Sequence, residues 1–387
     1  MTRNRVVVLG GAGAMGRITV RDLLRTGRGL EIVVADTHPA PVRELGVRCL
    51  ETDVTDPASL RRALDGAFAA IASLPYSFNV QVMRGALGCG VHYIDLGGLF
   101  HLTRQQLALA GDFERAGLVG LLGMGSAPGI LNVLAVRAAR GMERVREIHC
   151  MVGAADHTRY RGGAPLEFGY AADTLLDEFA KESAVFRAGR WQMVPALDPG
   201  ERVRARFPAP VGTRALDTTL HSEVATLPLA FADRGVREVT FRQSFEPEFA
   251  DRLRFLAELG MLETTPLDGA TGLSPRSVLL GLLRRFPPQE RQGPLQRYEI
   301  LRTLVRGTRR GRAVTVVADC HAGPRAGWDT GPDIDTGAPP SIAVQLLHSG
   351  EMPLRPGVWA PESLVPVEPF LRELERRGMR VRVHSRR

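Results

Sequence analysis

The chain has 387 residues, 44% of them hydrophobic, which is enough apolar side chain for two packed cores and too much length for one ordinary domain. Its net charge of +8 is dispersed arginine, Lys181 being the one lysine among 50 basic residues; with no basic run interleaved with aromatics, nucleic acid is excluded as a partner. Four scattered cysteines form no CxxC pair and no apolar run reaches the ~18 residues of a membrane helix, so no metal, no disulfide framework and no membrane partner is expected.

The first element in chain order is an apolar strand, V-V-V-L from Val6, that runs into Gly11-x-Gly13-x-x-Gly16 with Ala14 and Met15 between the last two glycines. This is a dinucleotide-binding fingerprint with a mechanism. Gly11 permits the strand-to-helix turn, Gly13 lets backbone approach a pyrophosphate, and Gly16 lets the helix pack on the strand. The phosphates then lie on a helix N-terminus, where N–H groups and the dipole favour an anion. The helix pattern Met15, Ile18, Leu23, Leu24 and a second strand, Glu31–Asp36, follow where the motif needs them. Asp36, 20 positions after Gly16, would accept hydrogen bonds from a ribose 2′-OH and repel a 2′-phosphate, which favours NAD over NADP; Arg43 is the nearest arginine that would rescue NADP. The first strand begins by Arg5, which leaves no room for a signal peptide, and a cytoplasmic protein is expected.

Alternation continues with a strand over Val47–Leu50, a helix over Pro57–Leu64, a strand over Phe68–Ser73, a helix over Phe78–Gly88, a strand over Val91–Leu96, a helix over Leu102–Ala116 and a strand over Leu118–Gly123. That pattern predicts an α/β, doubly wound parallel sheet of Rossmann type, with ligands at the carboxyl ends of its strands. Asp53 and Val54 fall where an adenine pocket would lie, and Asp56 reads as a helix N-cap. Three loops stand at the ligand edge: Ser73-Leu74-Pro75-Tyr76, Asp95-Leu96-Gly97-Gly98 and Gly123 to Gly129. Beyond Gly129 a helix over Ile130–Arg140 leads to a strand over Val145–Val152. Paired strands over Leu295–Val305 and Ala313–Cys320 flank a turn from Gly307 to Gly311, so the second half reads as α+β with an antiparallel sheet. Ala322–Pro340 reads as loop, Ser341–Leu347 as a short helix after two prolines, and Pro369–Arg377 as a last helix.

Several longer stretches carry a family likeness: G-V-H-Y-I-D-L-G-G from Gly90, G-S-A-P-G-I-L-N from Gly125, A-P-L-E-F from Ala164, R-A-G-R-W-Q-M-V-P-A-L from Arg187, T-L-P-L from Thr226, T-G-A-P-P-S-I-A-V-Q-L-L from Thr336 and G-V-W-A-P-E from Gly357. In this order and spacing the chain resembles the saccharopine dehydrogenase and lysine 6-dehydrogenase family of NAD(P)-dependent amino-acid oxidoreductases. The resemblance implies a Rossmann domain over residues 1–127, an inserted α+β catalytic and dimerisation domain over 128–337, and a segment over 338–387 that returns to the first domain. It implies a homodimer, a small amino-acid or amine substrate, and hydride transfer at a C–N bond, in length closest to the lysine 6-dehydrogenase branch. One departure counts against saccharopine itself: the family's C-G-G-L-P reads Val152-Gly-Ala-Ala-Asp156 here. An imine-reducing enzyme of opine type and a dinucleotide-binding regulator without catalysis are the alternatives.

Chemistry at an amine needs a base near neutral pH and a cleft that holds the carbon against the nicotinamide. Asp95, ending a strand at the ligand edge, is the leading catalytic candidate, with Tyr93 on the same face two residues before it. Glu167, His221 and Glu223 are the second-domain candidates. Ser73, Leu74, Pro75, Gly97 and the helix-opening pair Pro128 and Gly129 join the fingerprint as cofactor contacts. Tyr76, Asn132 and Arg161, the last through its planar fork, are the substrate candidates. Lys181 lies off its helix's apolar face and is not read as catalytic.

Overall fold

A computed structural model describes residues 4–267, 272–325, 328 and 331–386. Arg5–Leu9 is an inner strand of a seven-stranded sheet whose order is Gly357–Trp359, Val119–Leu121, His92–Asp95, Ala69–Ala72, Arg5–Leu9, Glu31–Asp36, Arg48–Glu51, every pair parallel. A strand covered on both faces must be apolar throughout. Val6 and Val8 pack into one hydrophobic core and Val7 and Leu9 into the other, all four with no exposed surface. The strand order reverses between Arg5–Leu9 and Ala69–Ala72, and the crevice outside that reversal is where an open α/β sheet takes its ligand.

The second sheet has nine strands built around Arg144–Asp156, which runs antiparallel to Arg297–Arg309 and parallel to Glu238–Gln243. Its long hairpin pairs Arg309 with Arg312, so the turn is Arg310-Gly311 alone, both at positive φ (53° and 68°), and Gly307 lies within the strand. Two residues of that conformation match the twist of an antiparallel pair, whereas the wider turn expected from Gly307 would splay it.

Two further expectations are corrected. The predicted Leu102–Ala116 helix is two, Phe100–Leu107 and Ala110–Arg115. The last long helix begins at Ile334 and runs through Pro339 and Pro340 to Ser349, so the predicted Ala322–Pro340 loop is partly helix; residues 326, 327, 329 and 330 of it lie outside the described residues. Packing overrides the prolines there. A Cβ on Gly337 would stand 2.5 Å from Ile18 Cβ, Thr19 Oγ1 donates to the Gly337 carbonyl at 2.7 Å, and Ser341 and Arg377 both donate to the buried Asp22 carboxylate. The C-terminal segment adds Gly357–Trp359 to the edge of the parallel sheet, then crosses back, and Arg380–Arg386 pairs with Arg312–Ala322 in the second sheet. Among the described residues no helix is long and apolar enough to cross a membrane.

Candidate active site

The helix Ala14–Thr26 starts at Gly13 with no side-chain cap and no acidic residue in its first turn. Its leading N–H groups therefore have no side-chain acceptor, and Gly13 and Ala14 are exposed beside half-buried Met15. A Cβ on Gly16 would lie 2.2 Å from the Gly10 carbonyl oxygen, and one on Gly11 would lie 2.9 Å from Val34 Cγ1. Both glycines let the helix sit against the strand so that the amides face outward, which fits a pyrophosphate. Asp36 accepts from the Ala12 and His38 N–H groups at 3.0 Å each and ties the second strand to the glycine turn. Ser73 closes the loop behind it, since a Cβ on Gly10 would stand 2.3 Å from the Ser73 carbonyl oxygen; Leu74 is half-buried and Pro75 exposed beside it. Asp53 is exposed and folds back on Thr55, whose hydroxyl and N–H hold its carboxyl below the ordinary range; Val54 is buried and takes Gln81 on its carbonyl.

Asp95 has no exposed surface. One oxygen accepts from Gly97 N at 2.9 Å and Gly123 N at 2.6 Å, the other from Gln106 Nε2 at 2.7 Å. Burial pushes its pKa up, and these donors oppose the rise. Tyr93 is equally enclosed; burial, with Asp95 behind it, pushes its phenol far up. Neither side chain presents an atom to a ligand, so the sequence reading of both as catalytic gives way to a clamp that joins two loops. Pro128 completes the joint: Cβ atoms on Gly97 (φ +116°) and Gly123 would each fall within 2.7 Å of its ring. Gly129 has φ +127° and passes so close to Gly125 that only glycine fits.

Asn132 is likewise spent. Its Oδ1 accepts from Gly129 N at 3.0 Å, and its Nδ2 donates to Glu362 at 2.8 Å and Thr226 at 3.4 Å, so it anchors protein rather than substrate. Tyr76 reaches across to the second domain and donates to Asp177, which also holds Lys181 at 2.9 Å and Arg276 at 2.7 Å. Burial and the Asp177 carboxylate push the Tyr76 phenol up, so it stays a neutral donor. Lys181 belongs to this interdomain knot.

Beside it lies a cluster that sequence reading catches only in part. His221 and Glu223 are buried (8% and 0% exposed), with His221 Nδ1 2.5 Å from Glu223 Oε2 and the imidazole stacked on Phe241 at 3.8 Å. Burial acts to lower the imidazole, but Glu223 and then Glu178 outweigh it and raise its pKa. Glu178, 1% exposed, accepts from Tyr170 at 2.9 Å and from Gln243, and burial pushes it up to about 7. Glu362, held by Asn132, is pushed by burial to about 7 as well. Glu178, Glu223 and Glu362 each keep one buried oxygen without a hydrogen bond. Trp191 fixes the cluster against the first domain, donating to the Val224 carbonyl at 2.8 Å while its ring meets Phe100 edge-on at 6.3 Å. Glu178 and Glu362 escape sequence reading because nothing local marks them. Glu167 and Arg161 fall elsewhere: Glu167 is exposed and bonded to Ala164 N at the mouth of a separate cavity, and Arg161 is exposed on a two-stranded ribbon with Glu290–Gln292.

A Rossmann sheet with an uncapped glycine turn, packed with a mixed sheet around an imidazole and three buried carboxylates, defines an NAD(P)-dependent oxidoreductase. Residues 6–121 match the family model of the saccharopine dehydrogenase NADP binding domain and residues 125–379 that of the saccharopine dehydrogenase C-terminal domain. The chain belongs to the saccharopine dehydrogenase family. It is similar to the carboxynorspermidine synthase of Vibrio cholerae serotype O1, 24% identical over 323 residues that cover 78% of this chain and 73% of that protein. It is also similar to the carboxyaminopropylagmatine dehydrogenase of a Synechocystis species, 22% identical over 404 residues and 96% of both. Among solved structures, apo saccharopine dehydrogenase (L-Glu forming) from Saccharomyces cerevisiae shares the fold, with a TM-score of 0.70 at 16% identity over 99% of this chain and 100% of that one.

Proposed function

We propose that the enzyme forms or cleaves the C–N bond of a carboxylate-bearing polyamine by imine reduction or its reverse, with His221 as the acid and base. The observation that carries this reading is the buried His221–Glu223 pair, tied through Trp191 and Phe100 to the helix that follows the Asp95 loop. The names of both sequence relatives denote carboxylated polyamines, which favours that substrate class over the lysine 6-dehydrogenase-like reaction expected from the resemblance. When bound, the dinucleotide supplies the hydride that an imine carbon needs. The chain supplies the proton. Glu223 holds the ring through Nδ1, which leaves Nε2 for the substrate nitrogen, and the raised pKa keeps a proton there near neutral pH. In the reverse sense a neutral Nε2 takes the proton from the amine. Asp36 supports NAD, through its ribose position, as the preferred form. The test is nicotinamide absorbance with NADH or NADPH, agmatine or propane-1,3-diamine, and a short aldehyde carrying an α-amino acid group, beside NAD with lysine. The first mixtures are expected to turn over, and His221→Gln to slow them by about a hundredfold or more. Turnover of lysine alone, or an unimpaired His221→Gln enzyme, overturns the reading.

A further inference from the structure

A cavity of about 320 Å³ opens between the strands Arg144–Asp156 and Arg297–Arg309 of the second sheet and the loops over residues 167–169 and 244–246. Four carboxylates line it, Asp156, Glu167, Glu246 and Glu299, against one cation, Arg297. That cation is already committed: its guanidinium meets Asp333 at 3.3 Å and Asp156 at 3.6 Å. The rings of Tyr160, Phe168 and Tyr298 supply apolar wall. Carboxylates set among aromatic faces, at this volume, match the demands of an aliphatic ammonium, which ion-pairs at its head and packs along its stem.

One lining carboxylate, Glu299, is backed by a second, buried carboxyl. Asp335, 2% exposed, lies against Glu299, and its Oδ2 has no hydrogen-bond partner. Two carboxyls in such contact share a proton or are offset by a cation, and an ammonium in the cavity would supply the second. Burial first, then Glu299, pushes Asp335 far up, and burial pushes Glu299 up to about 7. Among the described residues no group of three His, Cys, Asp or Glu is placed to hold a metal ion. Gly169 and Ser244 line the cavity, and their chain neighbours Tyr170 and Gln243 both donate to Glu178 of the catalytic cluster, the first at 2.9 Å. Ala154, Ala155 and Asp156, three of the four positions at which the Val152–Asp156 stretch departs from the saccharopine reductases, line the cavity.

We propose that the cavity lined by Glu299, Glu167, Tyr160 and Tyr298 is a subsite for the distal ammonium of the amine substrate, its charge met by Glu299 with Asp335 behind. This rests on the reading that the reacting nitrogen meets His221, and it explains how one amine of a polyamine is chosen over another: the distal charge fixes the reach of the chain. The test is calorimetric titration of the NADH-loaded enzyme with propane-1,3-diamine and with propylamine, which lacks the second charge. The diamine is expected to bind about tenfold tighter or more. Glu299→Gln should close most of that gap, and the rim variant Glu167→Gln, which disturbs no buried contact, part of it. Equal binding of the two amines, or a gap untouched in both variants, overturns the subsite. A diamine preference without turnover in any mixture overturns the proposed reaction and leaves the subsite standing; turnover without the preference does the opposite.

Discussion

Glu178→Gln isolates one charge. The amide keeps the carboxylate's volume, and its carbonyl still accepts from Tyr170 and Gln243, so what changes is the ability to ionise. An exposed glutamate titrates near 4.5 and buried Glu178 at about 7. The folded protein therefore holds this proton more tightly than the unfolded chain. Stability from this group is full below about 4.5 and is lost as pH rises through 7, by on the order of 3 kcal/mol from the difference between the two values. The substituted amide has no such proton to lose, so the variant is expected to gain on the parent by roughly that amount between pH 4 and pH 8. The assay is urea unfolding of both proteins at several pH values, followed by the difference in free energy. Glu178 also raises His221, so the variant's pH–rate profile for imine reduction should move to lower pH. Parallel stability curves would refute the claim that Glu178 is a charge buried at cost.

Two other outcomes follow from the clamp and the cradle. Gly16→Ala puts a Cβ 2.2 Å from the Gly10 carbonyl, so the helix must withdraw from the turn; dinucleotide affinity, read by NADH fluorescence, should fall about tenfold, with about 1–3 kcal/mol of stability lost. Asp95→Asn turns an NH2 toward at least one of the N–H groups from Gly97, Gly123 or Gln106, so stability should drop by about 1–3 kcal/mol and NADH affinity with it, as measured by thermal shift and titration. A variant as stable as the parent and slowed only in turnover would restore Asp95 to the catalytic list.

Elements whose signal is local can be read from the chain without its fold. Val6–Leu9, the glycine spacing and Asp36 specify a strand, turn, helix and strand because the turn's steric demands fall on residues a few positions apart. His221 and Glu223, two residues apart, are visible as a pair for the same reason. Which polar groups are spent and which face the cleft is settled by packing. Asp95 and Asn132 read as available in the sequence, yet loops from Gly123 and helices carrying Thr226 and Glu362 close on them. Glu178, Glu299, Asp335 and Glu362 acquire their character through space, from neighbours that the chain order separates widely, as Tyr76 and Asp177 are by 101 positions and Asn132 and Glu362 by 230. Burial sets a carboxyl's chemistry through the dielectric and donors around it, and those belong to the packed molecule and to no short stretch of it.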